Sequence, residues 1–471
     1  MKSLFENKKI LIFGLGKSGI AVLNALYNMG GIITVYDDKD LEWEDNKLFK
    51  KLQDLNVDTI LNEDFLLDCD FDYLILSPGV SLEKKIIREA VKKGTKLLGE
   101  LEVAYLFSKG KFIGITGTNG KTTTTKLTYE ILKSHEKNVF IGGNIGKPIL
   151  DMVKDAPKDS YFVTEVSSFQ LETIDKFKPK ISLLLNLTED HMNRHKTMEN
   201  YGNVKAKIFM NQRIGDFLIY NDEDERIKKL VQNANEDILK LPFSNEKVLK
   251  EGLFIRDNNI VLSPPFFDGK KKHKYFSENN EIEILDIKNI RLRGVHNLEN
   301  ILSAVFVNLS LEMPLEVIRK VVYEFKGVEH RLEEVREIDG IKFFNDSKGT
   351  NPVSSIKAIS AIKENIRLIL GGYDKDADFN VLIDEFYGRV KKVYILGATK
   401  EKIKKVLEKK NFKEYEILPN LKSCIISSYN DAKEGDNILF SPACASWDMY
   451  KSFEERGNEF KEIDYNLDGK K

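Results

Sequence analysis

The fold is decided by an apolar run that ends in a glycine-rich turn, and this stretch reads Phe112-Ile113-Gly114-Ile115-Thr116-Gly117-Thr118-Asn119-Gly120-Lys121-Thr122-Thr123. The run predicts a buried β-strand over 112–116, and helical text begins at Lys121. The turn resembles a P-loop, whose backbone amides wrap the phosphates of ATP. Only the second half of the P-loop pattern fits, because Ile115 stands where its first glycine would be. We therefore expect residues 117–123 to hold phosphates, with Lys121 neutralising them and the Thr122 hydroxyl reaching Mg2+.

The same order of strand, turn and helix opens the chain. The apolar run 10–13 leads into Gly14-Leu15-Gly16-Lys17-Ser18-Gly19, which matches the GxGxxG pattern. Its glycines allow the backbone to approach a diphosphate closely, and the N-terminus of the following helix favours anions. Asp37 and Asp38 follow the next strand-like run, where an acid often meets a ribose. The turn predicts a nucleotide diphosphate without identifying it, and taken alone it favours a nicotinamide-dependent dehydrogenase.

Further strand-like runs recur along the chain, and they cover residues 32–36, 73–76, 161–166, 181–187, 217–221, 341–344, 366–370, 393–396 and 438–440. Segments with a helical sequence pattern separate most of them, which is typical of doubly wound parallel sheets covered by helices on both faces. Residues 222–290 are more polar, and we interpret them as surface strands and loops. The sequence thus predicts an α/β fold of three domains in series. These are a Rossmann-like domain over 1–99, a central P-loop ATPase-like domain over 100–327 and a Rossmann-like domain over 328–471.

Composition narrows the class of protein. The 471 residues are 42% hydrophobic and 31% charged. This hydrophobic fraction is enough to build a sizeable core. Lys and Arg number 73 against 74 for Asp and Glu, so the strongly basic field of a nucleic-acid binder is missing. No apolar run approaches the roughly 18 residues of a membrane span, and the first residues lack a signal-peptide pattern. The 3 cysteines lie far apart and indicate no disulfide framework. We expect a soluble, cytoplasmic monomer.

Polar residues follow the strands beside the predicted P-loop. Glu165 comes at the end of the run 161–166, and Glu189, Asp190 and His191 follow the next apolar run. Because Mg2+ takes oxygen ligands from more than one element, Glu165 is the first candidate ligand. His195 is close enough in sequence to His191 to suggest zinc, but no further Cys or His completes a zinc set. We therefore expect magnesium and not zinc.

Several motifs together resemble the Mur ligases, the ATP-dependent amide ligases that extend the peptide of peptidoglycan precursors. In their typical order they are Thr116–Thr123, Glu165 with Ser167-Ser168-Phe169-Gln170, Thr188-Glu189-Asp190-His191-Met192, His296-Asn297 with Asn300, His330-Arg331-Leu332-Glu333 and Asn345-Asp346-Ser347-Lys348. The C-terminal stretch Ser441-Pro442-Ala443-Cys444-Ala445-Ser446 resembles the member that adds D-glutamate. The first glycine turn also suits that member, whose first domain holds UDP instead of a dinucleotide.

The resemblance implies ATP and two Mg2+ ions. Lys121 and Thr122 would serve the phosphates and the metal, and Glu165 would bind the first ion. His191 and Lys205 would serve the second ion. In this family the lysine at the position of Lys205 is carbamylated, which turns a cation into a carboxylate-like anion. From composition alone, Lys205 would instead belong to a solvated basic face.

The C-terminal half would complete the ATP site. Asn297 and Asn300 lie one helical turn apart and would meet the adenine, although a helix cap is the alternative for Asn297. Arg331 would reach the ATP phosphates, or else make only a structural ion pair, and Asp346 would contact the ribose. Because both domains would supply contacts, we expect closure of the third domain to complete the site and exclude water.

The resemblance also implies the other substrates, UDP-N-acetylmuramoyl-L-alanine and D-glutamate. The residues implied to hold the UDP-linked substrate are Gly16, Lys17, Ser18, Asp37, Asp38, Ser77, Gly79, Asn144, Ser167 and Gln170. Those implied to hold D-glutamate are Lys348, Thr350, Lys375, Ser446 and Phe453.

The implied reaction has an electrostatic barrier, because an anionic carboxylate must approach an anionic phosphate. Two unit charges 4 Å apart repel by about 4 kcal/mol at an effective dielectric near 20, and cations must offset this repulsion. A dehydrogenase would leave the residues 117–122 without a role, and a P-loop ATPase or kinase would leave the first glycine turn without one. Folate-polyglutamylating relatives lack the UDP-type first domain. A ligase accounts for every motif.

Overall fold

The structure is a computed structural model that describes residues 2–37, 52, 55, 57–60, 70–265, 273–277, 280–292, 294–362, 364–374 and 377–469. Two of the predicted site residues, Asp38 and Lys375, lie outside these ranges. The chain divides into two compact units, which are Met1–Arg291 with Val295–Phe325, and Leu292–Gly294 with Lys326–Lys471.

Strands in the described ranges are β1 (Lys9–Phe13), β2 (Ile32–Tyr36), β3 (Asp58–Ile60), β4 (Tyr73–Leu76), β5 (Lys96–Gly99), β6 (Lys111–Thr116), β7 (Val139–Gly143), β8 (Tyr161–Glu165), β9 (Ile181–Leu184), β10 (Phe217–Asn221), β11 (Leu239–Ser244), β12 (Gly252–Arg256), β13 (Asn259–Ser263), β14 (Ile282–Asp286), β15 (Glu333–Ile338), β16 (Ile341–Asn345), β17 (Ile366–Gly371), β18 (Val390–Leu396), β19 (Tyr415–Ile417) and β20 (Asn437–Phe440).

Helices in the same ranges are α1 (Lys2–Phe5), α2 (Lys17–Tyr27), α3 (Lys85–Lys92), α4 (Glu100–Phe107), α5 (Lys121–Lys133), α6 (Leu150–Val153), α7 (Ser168–Leu171), α8 (Met192–His195), α9 (Met198–Ala206), α10 (Glu225–Gln232), α11 (Val295–Ser310), α12 (Leu315–Glu324), α13 (Pro352–Ile362), α14 (Asn380–Asp384), α15 (Lys400–Lys409), α16 (Leu421–Asp431) and α17 (Phe453–Tyr465). Short 3-10 helices cover Lys207–Phe209 and Ile287–Asn289.

The first sheet has the strand order β3-β2-β1-β4-β5 in the described residues, and its strands are parallel. Along β1, Ile10 and Ile12 belong to one buried cluster, while Leu11 and Phe13 belong to another. Alternate side chains of a strand point to opposite faces, so this sheet is covered on both faces. A continuous apolar run is the sequence pattern that such a strand requires.

The second sheet has the order β14-β13-β12-β11-β10-β9-β6-β8-β7. It is parallel from β7 to β12, and β13 and β14 then extend it antiparallel. The interpretation of residues 222–290 as surface strands and loops was wrong, because β11 to β14 continue this sheet and carry fully buried side chains. These include Leu241, Phe243, Leu253, Phe254, Ile260 and Leu262. Their strands are short and separated by charged connections, which dilutes the hydrophobic signal along the sequence.

The third sheet has the order β15-β16-β20-β17-β18-β19, in which β15 is antiparallel and the remaining strands are parallel. Three α/β sheets in series confirm the predicted fold class. In the described ranges, no helix has the length and apolar character needed to span a bilayer.

Candidate active site

The loop after β6 has the geometry of a phosphate-binding turn. Gly120 has a φ of +81°, and a Cβ there would lie 2.1 Å from Asn300 Oδ1, so only glycine fits. Lys121 Nζ donates to the carbonyl oxygens of Gly117 and Thr118, at 2.9 Å each. The side chain predicted to neutralise phosphates therefore lies across the loop predicted to hold them.

Two residues after β9 fasten this loop, and sequence reasoning did not single them out for this role. The backbone amide of Asn119 donates to Asn186 Oδ1 at 2.8 Å, and that of Thr118 donates to the Asn186 carbonyl at 2.9 Å. The Thr118 hydroxyl also donates to the Thr188 carbonyl at 3.2 Å. The available signal for Asn186 was a single polar residue near the end of the apolar run 181–187.

Lys205 lies beneath the same loop and is only 1% exposed. Its Nζ donates to the Gly117 carbonyl at 2.9 Å and lies 4.7 Å from the centre of the Tyr201 ring. Burial holds the pKa of Lys205 well below its usual value, and the charge of Lys121 lowers this pKa further, against the opposing effect of Asp190 and Glu165. The alternative of a solvated basic face is therefore wrong for Lys205.

Glu165 ends β8, the strand beside β6, and is 2% exposed. Its Oε1 accepts from Asn144 Nδ2 at 2.9 Å, whereas Oε2 is buried and has no hydrogen-bond partner. A buried carboxylate oxygen without a partner is costly unless a cation compensates it, so this oxygen fits a metal ion. Asn144, which we expected at the UDP-linked substrate, lies against this carboxylate.

His191 stands at the start of α8 with a φ of +55°, a conformation uncommon for a residue other than glycine. Its side chain is half exposed, and its ring centre lies 4.8 Å from that of Phe169. His195 is buried instead, with Nε2 3.0 Å from Ser168 Oγ, and burial lowers its pKa. Within the described ranges no group of three or more His, Cys, Asp or Glu side chains could hold a metal.

The asparagines expected at the adenine lie beside the phosphate loop. Asn300 Nδ2 donates to Asn297 Oδ1 at 3.1 Å, and Asn300 Oδ1 accepts from the Thr124 hydroxyl at 3.2 Å. Both side chains are buried where α11 packs against α5. The structure thus brings them to the phosphate loop, and the contact with adenine stays a prediction.

The first glycine turn is held by two of the residues expected to bind the UDP-linked substrate. Asp37 Oδ2 accepts from the Leu15 amide at 2.6 Å, and the Ser77 hydroxyl donates to the Gly14 carbonyl at 2.8 Å. Gly16 is exposed immediately before α2, and a Cβ there would meet nothing within 4 Å. The exposed turn at a helix N-terminus leaves room for an anion.

The remaining residues of that set occupy separate positions. Lys17 and Ser18 form the first positions of α2, and Gly79 is exposed in the loop after β4. Ser167 and Gln170 form a capping box at the start of α7, in which each side chain bonds the backbone of the other residue. Their hydrogen bonds are thus made within the protein.

An arginine that sequence reasoning missed joins the first and second sheets' loops. Arg194 donates to the Val80 carbonyl at 2.9 Å and makes an ion pair with Glu172, while its guanidinium stacks 4.4 Å from the centre of the Phe169 ring. It therefore connects the loop of Ser77 with the surroundings of His191.

In the second unit, Arg331 is exposed between two residues with left-handed backbone, His330 at φ +61° and Leu332 at φ +44°. Asp346 fixes this turn by accepting from the Leu332 amide at 3.2 Å and from the Ser441 hydroxyl at 2.6 Å. Burial raises the pKa of Asp346 to about 6. The turn presents Arg331 outward, and the expected ribose contact of Asp346 stays a prediction.

The residues expected at D-glutamate follow the carboxyl ends of β16 and β20. Lys348 Nζ lies 5.7 Å from the centre of the Phe453 ring, and the Thr350 amide donates to the Lys348 carbonyl at 3.0 Å. Ser446 is 2% exposed, and its carbonyl accepts from the Tyr450 amide at 2.8 Å. Ligands of parallel α/β sheets bind at this edge.

Comparisons with known proteins identify the family. The family models described as "Mur ligase MurD-like, N-terminal domain", "Mur ligase middle domain" and "Mur ligase, glutamate ligase domain" match residues 8–99, 115–308 and 330–444. A UDP-N-acetylmuramoylalanine--D-glutamate ligase from Thermoanaerobacter sp. (strain X514) is 43% identical over 461 residues, which cover 97% of this chain and 98% of that protein. The chain belongs to the Mur ligase family. A ligase of the same name from Clostridioides difficile (strain 630) is 41% identical over 98% of this Mur ligase and 99% of its own length.

Solved structures of Mur ligases share the fold. The UDP-N-acetylmuramate-alanine ligase MurC of Thermotoga maritima is 19% identical, with a TM-score of 0.55 over 97% of this chain and 99% of its own. The MurF ligase of Thermotoga maritima, solved in complex with ADP, is 16% identical, with a TM-score of 0.55 over 99% and 97%.

Proposed function

We propose that this Mur ligase joins D-glutamate to UDP-N-acetylmuramoyl-L-alanine in an ATP-dependent step of peptidoglycan precursor synthesis. The observation that carries the proposal is the identity of 43% with a D-glutamate ligase across 97% of this chain and 98% of that relative. Such an alignment includes the first domain as well as the glutamate ligase domain. The reaction belongs in the cytoplasm, where ATP and the UDP-linked precursor are available.

The reaction needs two displacements. A carboxylate oxygen of the L-alanyl group attacks the γ-phosphorus of ATP, the bond to ADP breaks, and an acyl phosphate results. The uncharged amine of D-glutamate then attacks the acyl carbon, phosphate leaves, and the new amide nitrogen loses a proton. Lys121 supports the first step by offsetting the charge of the phosphates that the loop 117–120 surrounds.

The unpartnered oxygen of Glu165 fits one of the Mg2+ ions that this chemistry implies. Glu165 contributes the unpartnered Oε2, and the hydroxyl of Thr122, the ring of His191 and a modified Lys205 complete the proposed ligands. When bound, Mg2+ would screen the repulsion between the phosphate and the incoming carboxylate. Glu165 itself is held for that task by Asn144.

We extend the proposal to a carbamylated Lys205. A buried amine that loses its proton readily is a nucleophile, and its nitrogen can attack carbon dioxide, form an N–C bond and release one proton. The low pKa of Lys205 and its burial under the Gly117 carbonyl support this step. Carbamylation would place an anion, instead of a second cation, beside Lys121.

The remaining substrate contacts are proposed from the family. Asn297 and Asn300 take the adenine, Arg331 takes the phosphates, and Asp346 takes the ribose. The exposed turn at Gly16 takes the diphosphate of the UDP-linked substrate. D-glutamate lies among Lys348, Thr350, Lys375, Ser446 and Phe453.

A phosphate-release assay with UDP-N-acetylmuramoyl-L-alanine and a panel of D- and L-amino acids tests the proposal. Release that requires ATP, the UDP-linked substrate and D-glutamate together supports it. Release with L-lysine or diaminopimelate and none with D-glutamate would move the protein to another member of the family. ATP turnover without any amino acid would favour an ATPase.

A further inference from the structure

A buried arginine holds together the segments that carry the proposed D-glutamate residues. Arg456 lies in the first turn of α17 and is 1% exposed. Its guanidinium donates to the hydroxyl and the carbonyl of Ser347 and to the carbonyl oxygens of Cys444 and Ala445, over distances of 2.8 to 3.1 Å. One side chain thus joins two loops to a helix.

Each of these segments adjoins a residue proposed to contact D-glutamate. Ser347 immediately precedes Lys348 in the loop after β16, and Ala445 immediately precedes Ser446 in the loop after β20. The Ser347 hydroxyl also donates to the carbonyl of Phe453, the first residue of α17, at 2.8 Å. Hydrogen bonds therefore connect Arg456 to each of the three segments that carry the proposed contacts.

The chemistry of arginine suits this task. Its guanidinium is a rigid planar fork with five N–H donors, so it fixes several acceptors in one plane. Burial lowers the pKa of Arg456 to about 10, which leaves the group charged at neutral pH. Each of the acceptors above is a neutral oxygen. A loop after β17 also approaches closely, because a Cβ on Gly372 would lie 3.2 Å from Arg456 Nη1 and 2.4 Å from the Ala445 carbonyl.

We propose that Arg456 is a positioning residue for the amino-acid substrate, fixing the loop after β16, the loop after β20 and the start of α17 relative to one another without touching that substrate. The inference rests on the proposed function. Because the amino acid is bound by side chains from separate segments, a change in their spacing weakens its binding and leaves the sites of the first unit intact.

Steady-state kinetics of the full chain test this role with Arg456→Met and Arg456→Lys. For Arg456→Met we expect the KM for D-glutamate to rise by about tenfold or more, as for other residues that act through a contacting group. The KM for UDP-N-acetylmuramoyl-L-alanine, whose proposed contacts lie in the first unit, should change by less than about twofold. For Arg456→Lys the KM for D-glutamate should lie between the values of wild type and Arg456→Met. An ammonium group keeps the charge but cannot reach all the acceptors that the planar guanidinium bonds.

Arg336→Met is the matched control. Arg336 also fastens α17 to the third sheet, through Asp464 at 3.2 Å and the Leu467 carbonyl at 3.0 Å, but at the far end of the helix. Its loss should lower stability and leave the KM for D-glutamate unchanged. Ser347→Ala removes one acceptor of Arg456 and the hydroxyl that bonds the Phe453 carbonyl, so it should also raise the KM for D-glutamate. If Arg456→Met does not fold, Ser347→Ala tests the positioning role.

The outcomes separate the two claims. An unchanged KM for D-glutamate in the Arg456 and Ser347 variants would overturn the positioning role, as would an equal rise in the KM for UDP-N-acetylmuramoyl-L-alanine. Should the wild-type protein instead use a different amino acid, the proposed function fails, and the positioning role is read from the KM of that amino acid.

Discussion

Replacing Glu100 by glutamine is expected to make the first unit more stable in alkaline solution and no more stable in acid. Glu100 is the first residue of α4 and is 2% exposed. Its Oε1 accepts from the Leu150 amide at 2.8 Å, while Oε2 is buried without a partner. Burial raises the pKa of Glu100 from 4.5 to about 7, and the charge of Asp151 acts in the same direction.

The size of the effect follows from that pKa. A carboxyl whose pKa is raised by folding contributes stability that is fully present below its unfolded pKa and is lost as the pH rises through its folded pKa. For Glu100 this loss runs between 4.5 and about 7. At about 1.4 kcal/mol for each tenfold change in proton affinity, it amounts to about 3 kcal/mol. Glutamine stays neutral and keeps an oxygen for the Leu150 amide, so the variant avoids the loss.

Urea unfolding followed by circular dichroism, from about pH 5 to about pH 9, measures this difference as the free energy of unfolding of the first unit. The advantage of Glu100→Gln over wild type should grow as the pH rises above 4.5 and level off just above the folded pKa of about 7. Glu89→Gln is the control, because Lys92 lowers the pKa of the exposed Glu89 and its removal should bring no alkaline gain. A difference that does not change with pH, or a variant weaker than wild type at high pH, would refute the reasoning.

Two further predictions concern the first glycine turn and Lys205. Gly19→Ala should prevent the first sheet from folding, because its Cβ would lie 1.9 Å from the Gly14 carbonyl. Gly16→Ala should fold normally, because its Cβ would meet nothing within 4 Å, and it should weaken UDP binding by about tenfold. Circular dichroism measures folding, and calorimetry with UDP measures binding. If Gly16→Ala binds UDP as tightly as wild type, the diphosphate does not bind at that turn. Lys205→Met keeps the buried volume but removes the amine, so phosphate release should fall by about a hundredfold or more. Labelled bicarbonate followed by NMR should show a carbamate signal in wild type that this variant lacks, and full activity of the variant would exclude the carbamate from the mechanism.

Local sequence patterns were enough to predict most strands and the two glycine turns. They were not enough to predict contacts between segments that lie far apart in the chain. The turns at Gly14–Gly19 and at Gly117–Gly120 are short enough for their glycine spacing to specify them. The capping box of Ser167 and Gln170 is also a local pattern, with a serine three residues before a glutamine. The pairing of Asn144 with Glu165 depends on strands whose order in the sheet is not written in either segment. The strands β11 to β14 were misjudged for a different reason, because they are short and charged connections between them dilute the hydrophobic pattern.

Two buried cations illustrate how one kind of surroundings can serve different chemistry. Lys205 and Arg456 are each 1% exposed, and both donate mainly to neutral oxygens, which solvate a charge poorly compared with water. For Lys205 burial lowers the pKa, which favours the uncharged amine that the proposed modification needs. The guanidinium of Arg456 delocalises its charge, so its pKa stays near 10 and it remains a fixed cation. Burial thus favours an uncharged amine at the lysine beneath the loop 117–120, and it leaves the arginine a cation that joins the loops after β16 and β20.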